Sequence, residues 1–153
     1  VASPVVEAVS AVFGGVRDLL SDGTITIPAL KIRKTYRSQA FREELEEGVT
    51  ALVYPQTVSR NRAGNSAVFD EYQVDVAVEL VTRFDPMDEI RQQETMLNHC
   101  QDIADGLSRK LAVSYGLFAS QDGGMFEETM IDEMAIVSVK CSGIYRVMHK
   151  VAL

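Results

Sequence analysis

Large apolar side chains fall at every second position along residues 72–80: Tyr72, Val74, Val76, Val78 and Leu80, with Gln73, Asp75, Ala77 and Glu79 between them. Alternation at period two predicts a strand with one buried face, and Val81 is the one large apolar residue on the polar side. Tyr72 makes a natural first rung, its ring inward and its hydroxyl at the rim. Upstream, residues 49–55 (VTALVYP) place Val49, Ala51 and Val53 on one side and Thr50, Leu52 and Tyr54 on the other, which predicts a strand covered on both faces. Together the two segments predict an antiparallel hairpin. The polar, arginine-bearing stretch between them (QTVSRNRAGNSAVFDE, residues 56–71) is far longer than a tight turn. Loops of that length are usually functional or disordered.

Elsewhere the period becomes helical. Ser3-Pro4 supplies an N-cap and a proline for the first helical position, and Val5, Val9, Val12, Val16 and Leu19 then form one apolar face ended by Asp22-Gly23. Gly14-Gly15 interrupts that face; each glycine costs about 1 kcal/mol of helix propensity, so close packing against another element is expected. Asp85-Pro86 predicts a second helix, with Asp85 as N-cap and Ile90, Leu97, Cys100, Ala104, Leu107 and Leu111 as its core stripe. The gap at Gln93-Glu94 leaves its first turns half exposed, and Gly106 is a weak point near its end.

Residues 24–36 are β-prone, with Pro28 breaking the strand or placing it at an edge, and residues 39–47 suggest a short polar turn of helix. From Met134 onward Ala135, Val137, Val139 and Cys141 alternate with Ile136, Ser138 and Lys140. Gly143, Tyr145 and Val147 keep the same parity, so Gly143 marks a close approach within the strand more than a bulge. The order helix, strand, hairpin, helix, strand predicts one α+β domain over residues 1–153. Its mostly antiparallel sheet is built around the long-looped hairpin and flanked by two main helices.

Composition narrows the functional classes. A formal charge of −7 over 153 residues argues against a nucleic-acid binder that works by neutralising phosphates. No apolar run is long enough to span a bilayer, and no signal-peptide pattern is visible, so no membrane and a cytoplasmic origin are expected. The two cysteines, Cys100 and Cys141, are expected as buried free thiols in a helix and a strand.

No catalytic signature emerges, and no enzyme, metal or cofactor is expected. His99 and Cys100 point about 100° apart on one helix and are poorly placed to share a metal; His149 stands alone. Neither a nucleophile elbow nor a phosphate-binding glycine loop is present. Asp122, Glu127, Glu128, Asp132 and Glu133 do not fit a calcium loop. Met125, Phe126, Met130 and Met134 interleave with these acids, which suggests either a segment that becomes ordered against a partner or a loop that folds back and seals its own sheet. Arg60 and Arg62, flanked by Ser59, Asn61, Gly64, Asn65 and Ser66, sit where a loop would project. Their guanidinium forks suit carboxylates of a neighbouring subunit, with ordinary solvated arginines as the alternative. The candidate contact residues are therefore Ser59, Arg60, Asn61 and Arg62 in one loop, and Met125, Phe126, Glu127 and Glu128 in the other.

The succession of a first helix, R-K-T-Y, L-E-E-G-V-T-A-L-V-Y-P, V-S-R-N-R, Y-Q-V-D-V-A-V and a long helix containing D-I-A-D-G-L resembles phage neck and tail-completion proteins. The nearest group is the tail terminators of long-tailed phages. The resemblance covers residues 5–111 and a matching terminal strand, and rests on order and spacing. It does not extend to the acidic, Met-rich loop. It implies a small α/β fold without enzymatic activity, a hexameric ring on the tail tube, and partners in the tube protein and the head-completion or connector proteins. It also implies a place in the virion neck after assembly in the host cytoplasm, with DNA threading the lumen without specific binding. Another head–tail connector component, such as a stopper, is the alternative within the same class. A small ligand-binding or enzymatic domain is the alternative outside it.

Overall fold

Ser3 begins the first helix as its sequence signature predicts: its hydroxyl accepts the Val5 N–H at 3.2 Å, and Pro4 occupies the first turn. This helix, α1, runs Pro4–Ser21 and buries Ala8, Val9, Val12, Gly15, Val16 and Leu19 along one stripe. The computed structural model describes residues 3–46, 48–62, 69–119 and 123–150.

Six strands follow: β1 (Lys31–Lys34), β2 (Thr50–Arg62), β3 (Phe69–Arg83), β4 (Tyr115–Leu117), β5 (Glu127–Ile131) and β6 (Met134–Lys150). The second long helix, α2 (Glu89–Leu111), lies between β3 and β4, and a short 3₁₀ turn, Arg42–Leu45, precedes β2. The sheet order is β1-β2-β3-β6-β4, with β5 also paired to β6. All described pairings are antiparallel except β1 with β2. The fold is α+β.

The alternation in β3 sorts two cores onto the two faces of the sheet. Val74, Val76, Val78 and Leu80 join Ala51, Val53, Val137, Val139 and Cys141 on one face, where both helices pack. Ala77 and Val81 turn the other way and join Leu52, Tyr54, Met134 and Ile136 in a smaller cluster, closed by Ala40 and Leu45. Leu52 and Tyr54 thus explain why the first strand of the hairpin reads as covered on both sides.

Glycines mark several close approaches. A Cβ on Gly15 would stand 3.0 Å from Leu107, and one on Gly106 would stand 2.7 Å from Leu19, so α1 and α2 meet through these gaps. A Cβ on Gly143 would stand 2.6 Å from both the Ser114 carbonyl and the Tyr115 ring, the close approach its parity predicts. Gly106 is therefore a packing position as well as a gap in helix propensity.

Several boundaries differ from expectation. Asp88, not Asp85, stands at the N-cap of α2. Asp85 instead organises the preceding turn, accepting the Met87 N–H at 3.0 Å and donating its own backbone N–H to Gln92 at 3.0 Å. The first turn of α2 is consequently bare and Ile90 is exposed, while Met96 and Ile103 supply the buried stripe with Cys100, Ala104 and Leu107.

The hairpin is also longer, and its loop shorter, than predicted. β2 continues in register through Thr57, Ser59 and Asn61 opposite Asp75, Gln73 and Glu71, after a register shift between Pro55 and Thr57. Only residues 63–68 separate the two strands, and these, with Gly64, Asn65 and Ser66, lie outside the described residues. The acidic segment is likewise not one loop: residues 127–131 form a strand that turns at Asp132 and Glu133, both at positive φ, into β6.

Candidate assembly surface

The covered part of the sheet ends near Val74. Beyond it, β2, β3 and β6 continue together as a three-stranded arm formed by residues 56–62, 69–73 and 144–150. Cover thins along this arm: on the helix side Val147 is still buried and Tyr72 and Tyr145 are half-buried against the main core, while other large side chains stay in solvent. Val58 is 51% exposed, Phe69 40%, Ile144 50% and Met148 55%. Phe69, Ile144 and Met148 share one face of the arm and Val58 lies on the other; exposed apolar side chains grouped in this way mark an interaction surface.

Charges on the arm are compensated within it. Arg60 reaches diagonally to Asp70, Nε at 2.8 Å and Nη2 at 2.6 Å from one carboxylate oxygen, and Asp70 is 3% exposed. Arg146 stands 3.8 Å from Glu71 on the opposite face. Tyr72 and His149 meet edge to face with ring centroids 5.8 Å apart.

Ser59, Arg60 and Asn61 are thus ladder residues of β2 and not parts of a projecting loop. The Arg60 guanidinium holds a carboxylate of its own chain. Arg62 pairs through its backbone with Asp70, and the placement of its side chain lies outside the described residues. The sequence missed Asp70, Glu71, Ile144, Arg146 and Met148. The available signal was the run 144–150, in which Ile144 and Met148 lie on one face and Tyr145 and Val147 on the other. The core covers Val147 and half-buries Tyr145 on one face, whereas Ile144 and Met148 on the other are left exposed among the described residues.

The second candidate group behaves differently. Phe126 packs against the main core and Met125 is half-buried, while Glu127 and Glu128 are exposed in β5 opposite Ser138 and Val137. The segment folds back and seals its own sheet, with Ile131 packed on the smaller core and Met130 left exposed. The two groups are not brought together: β3 and β6 stand between them, and β5 pairs with the end of β6 opposite the arm.

Two clefts accompany these features. One, of about 700 Å³, opens where β4 ends and β6 runs on, and is lined by Asp75, Ser114, Phe118, Gly143 and Arg146 among others. Asp75 Oδ1 is buried there without a hydrogen-bond partner among the described residues, and burial raises its carboxyl above the usual carboxylate range despite the Ser142 hydroxyl and Lys140. The other, of about 480 Å³, lies between the 3₁₀ turn and β5 and includes Glu79. Ser38 and Tyr54 both donate to Glu79 Oε1, at 2.6 and 2.8 Å. Burial and the neighbouring Glu79 carboxylate push the Tyr54 phenol up, so Tyr54 keeps its proton and the contact acts as structure.

Cys100 and Cys141 are both buried free thiols, and contact with Cys100 and burial raise Cys141 well above the ordinary thiol range. No group of three or more metal-ligating side chains gathers among the described residues, and no described helix is long and apolar enough to cross a membrane. No protein-family model matches the chain, and no curated protein resembles it to a significant degree.

Proposed function

We propose that this chain is a structural subunit of a phage neck, acting as a tail terminator. Copies form a ring that caps the tail tube, ends its polymerisation and joins tail to head. One face of the ring takes the last tube ring, and the other takes head-completion proteins and offers no site to a further tube subunit. DNA passes through the lumen, and the net charge of −7 discourages it from adhering to the wall.

The observation that carries this reading is the arm: apolar side chains exposed at its surface and, among the described residues, two strand edges left open, on a sheet whose other half carries both cores. Such a surface belongs to a protein built to be completed by others. The order of elements that the sequence shares with tail terminators supports the same assignment.

The test is binding to purified tail tubes, followed by electron microscopy and by solution mass across a concentration series. Rings seated on tube ends are expected. Failure to bind tubes overturns the assignment, and binding to a head connector instead moves it to a stopper or head-completion role.

A second reading is favoured by one observation, the unpartnered Asp75 oxygen in the 700 Å³ cleft. A ligand-binding domain would place an amine or guanidinium there. Stabilisation of the folded chain by a small guanidinium compound, abolished in Asp75→Asn, distinguishes it.

A further inference from the structure

The arm has two free edges, and their backbone phase follows from the register. Val49 and Val53 turn their carbonyls to β1, accepting from Lys31 at 3.0 Å and Thr35 at 2.9 Å. Thr50, Leu52 and Tyr54 therefore face β3, and their partners Val81, Glu79 and Ala77 face β2. Carried along β3, the same parity turns Asp75, Gln73 and Glu71 toward Thr57, Ser59 and Asn61. Val58 and Arg60 then point their peptide groups outward. Carried across to β6, it leaves Ile144, Arg146 and Met148 pointing outward past the end of β4. Among the described residues no strand takes either row.

We infer that these two rows are made for each other: the β2 edge at residues 56–62 of one copy pairs with the β6 edge at residues 144–150 of the next. The occupant is a second copy of this chain because one arm carries both rows, equal in length and at the same level. Ser59 and Arg146 flank the same residue, Gln73. A single repeated rotation therefore brings one row against the other, and every copy uses both. β2 and β6 both run antiparallel to β3, so a step around a ring sets them side by side in parallel. The contact is head-to-tail and closes without leaving an edge.

Side-chain chemistry allows the contact. Each edge carries exposed apolar groups, Val58 on one and Ile144 and Met148 on the other, on opposite faces of the sheet. Arg60 and Arg146 also lie on opposite faces, each beside a carboxylate of its own chain, so they do not confront each other across the contact. An added strand beside Ile144 would also roof the 700 Å³ cleft, whose lining includes Gly143, Ile144, Tyr145 and Arg146.

The inference deepens the ring reading and rests on it for the closed form of the assembly. It is tested by blocking one edge at a time. Val58→Pro and Met148→Pro each remove an outward N–H while leaving the internal ladder intact, the position at which a strand tolerates proline. Each variant alone is expected to remain monomeric by light scattering where the wild-type chain forms rings. Mixed in equal amounts they are expected to give a one-to-one dimer and nothing larger, because each retains the edge the other lacks. Assembly by either variant alone, or a mixture of folded variants that stays monomeric, overturns the inference.

Hydrogen exchange on the wild-type chain provides a measurement that needs no substitution. Amides in 56–62 and 144–150 should gain protection together on assembly, whether free or on tube ends. Free exchange on either strand in assembled material, or a wild-type chain that stays monomeric at every concentration and on tubes, also overturns it. Rings with freely exchanging edges reject this contact and leave the ring. Protected edges without tube binding reject the tail assignment and leave the contact.

Discussion

The two ends of the same three strands differ in what surrounds them. Between Val74 and Thr82, β3 is covered on both sides, by helices on one face and by the 3₁₀ turn and the β5–β6 hairpin on the other. A few residues earlier, from Phe69 to Gln73, the same strand has the same ladder of hydrogen bonds and thinner cover: Asp70 is buried, residues 71–73 are half-buried and Phe69 is exposed. Backbone pairing persists where burial thins. Burial stabilises one end of the sheet, whereas pairing and diagonal side-chain contacts hold the other in shape for a partner.

The largest effect that would sharpen this contrast comes from the covered end. Leu107→Ala removes a fully buried side chain packed against α1 and should cost about 3 kcal/mol in urea unfolding. Gly143→Ala forces a methyl against the Ser114 carbonyl, and about 2 kcal/mol is expected from overpacking. On the arm, Arg60→Ala leaves the buried Asp70 carboxylate without its partner, a loss of about 1 kcal/mol. Arg146→Ala, whose pair with Glu71 is more exposed and longer, should change stability by less than about 0.5 kcal/mol. An equal cost for the two arginines would show that the arm does not distinguish its faces.

Acid provides a smaller test, at the turn that covers the second core. Burial alone would raise the Glu44 carboxyl, but hydrogen bonds from Arg33 and from the Phe41 N–H outweigh it and hold the group below its ordinary 4.5. A depressed carboxyl contributes stability that is present above its unfolded pKa and lost as pH falls through the folded one. The stability gap between wild type and Glu44→Gln should therefore be full at neutral pH and shrink as pH drops below about 4.5. A gap that widens on acidification breaks the sign. The smallest effect is Val58→Ala, which should alter monomer stability by less than about 0.5 kcal/mol; a cost like that of Leu107→Ala would mean the arm is already covered.

The covered end was legible in the sequence because burial writes a pattern. Period two in Tyr72 to Leu80, the α1 stripe and the unbroken parity through Gly143 each required one apolar face. The arm wrote no such pattern. Thr57, Ser59 and Asn61 alternate with Val58 and Arg60, but both sets meet solvent or a salt bridge, so the alternation carries no amplitude and resembles a loop. β5 was hidden for the same reason: Glu127, Glu128 and Thr129 have no buried rung. The parallel pairing of β1 with β2 left no local mark, since which strand the 31–34 segment joins is decided by distant residues. Arg60 was expected either to meet a carboxylate of a neighbouring subunit or to stay solvated, and its guanidinium instead meets Asp70, ten residues on in the same chain.

Gln56, the residue skipped between Pro55 and Thr57, has a consequence for how this chain can vary. It has no partner on β3: Pro55 stands opposite Val76 and Thr57 opposite Asp75, so the ladder resumes as if Gln56 were absent. Deleting it would straighten the strand and keep Arg60 beside Tyr72, whereas drawing it into the ladder would push every residue from there to the turn one place along and send Arg60 across the sheet. The arm is thus read in a frame that starts at that position. Substitutions downstream of it alter single contacts, whereas its entry into the ladder would recode the whole surface without changing a single side chain that forms it.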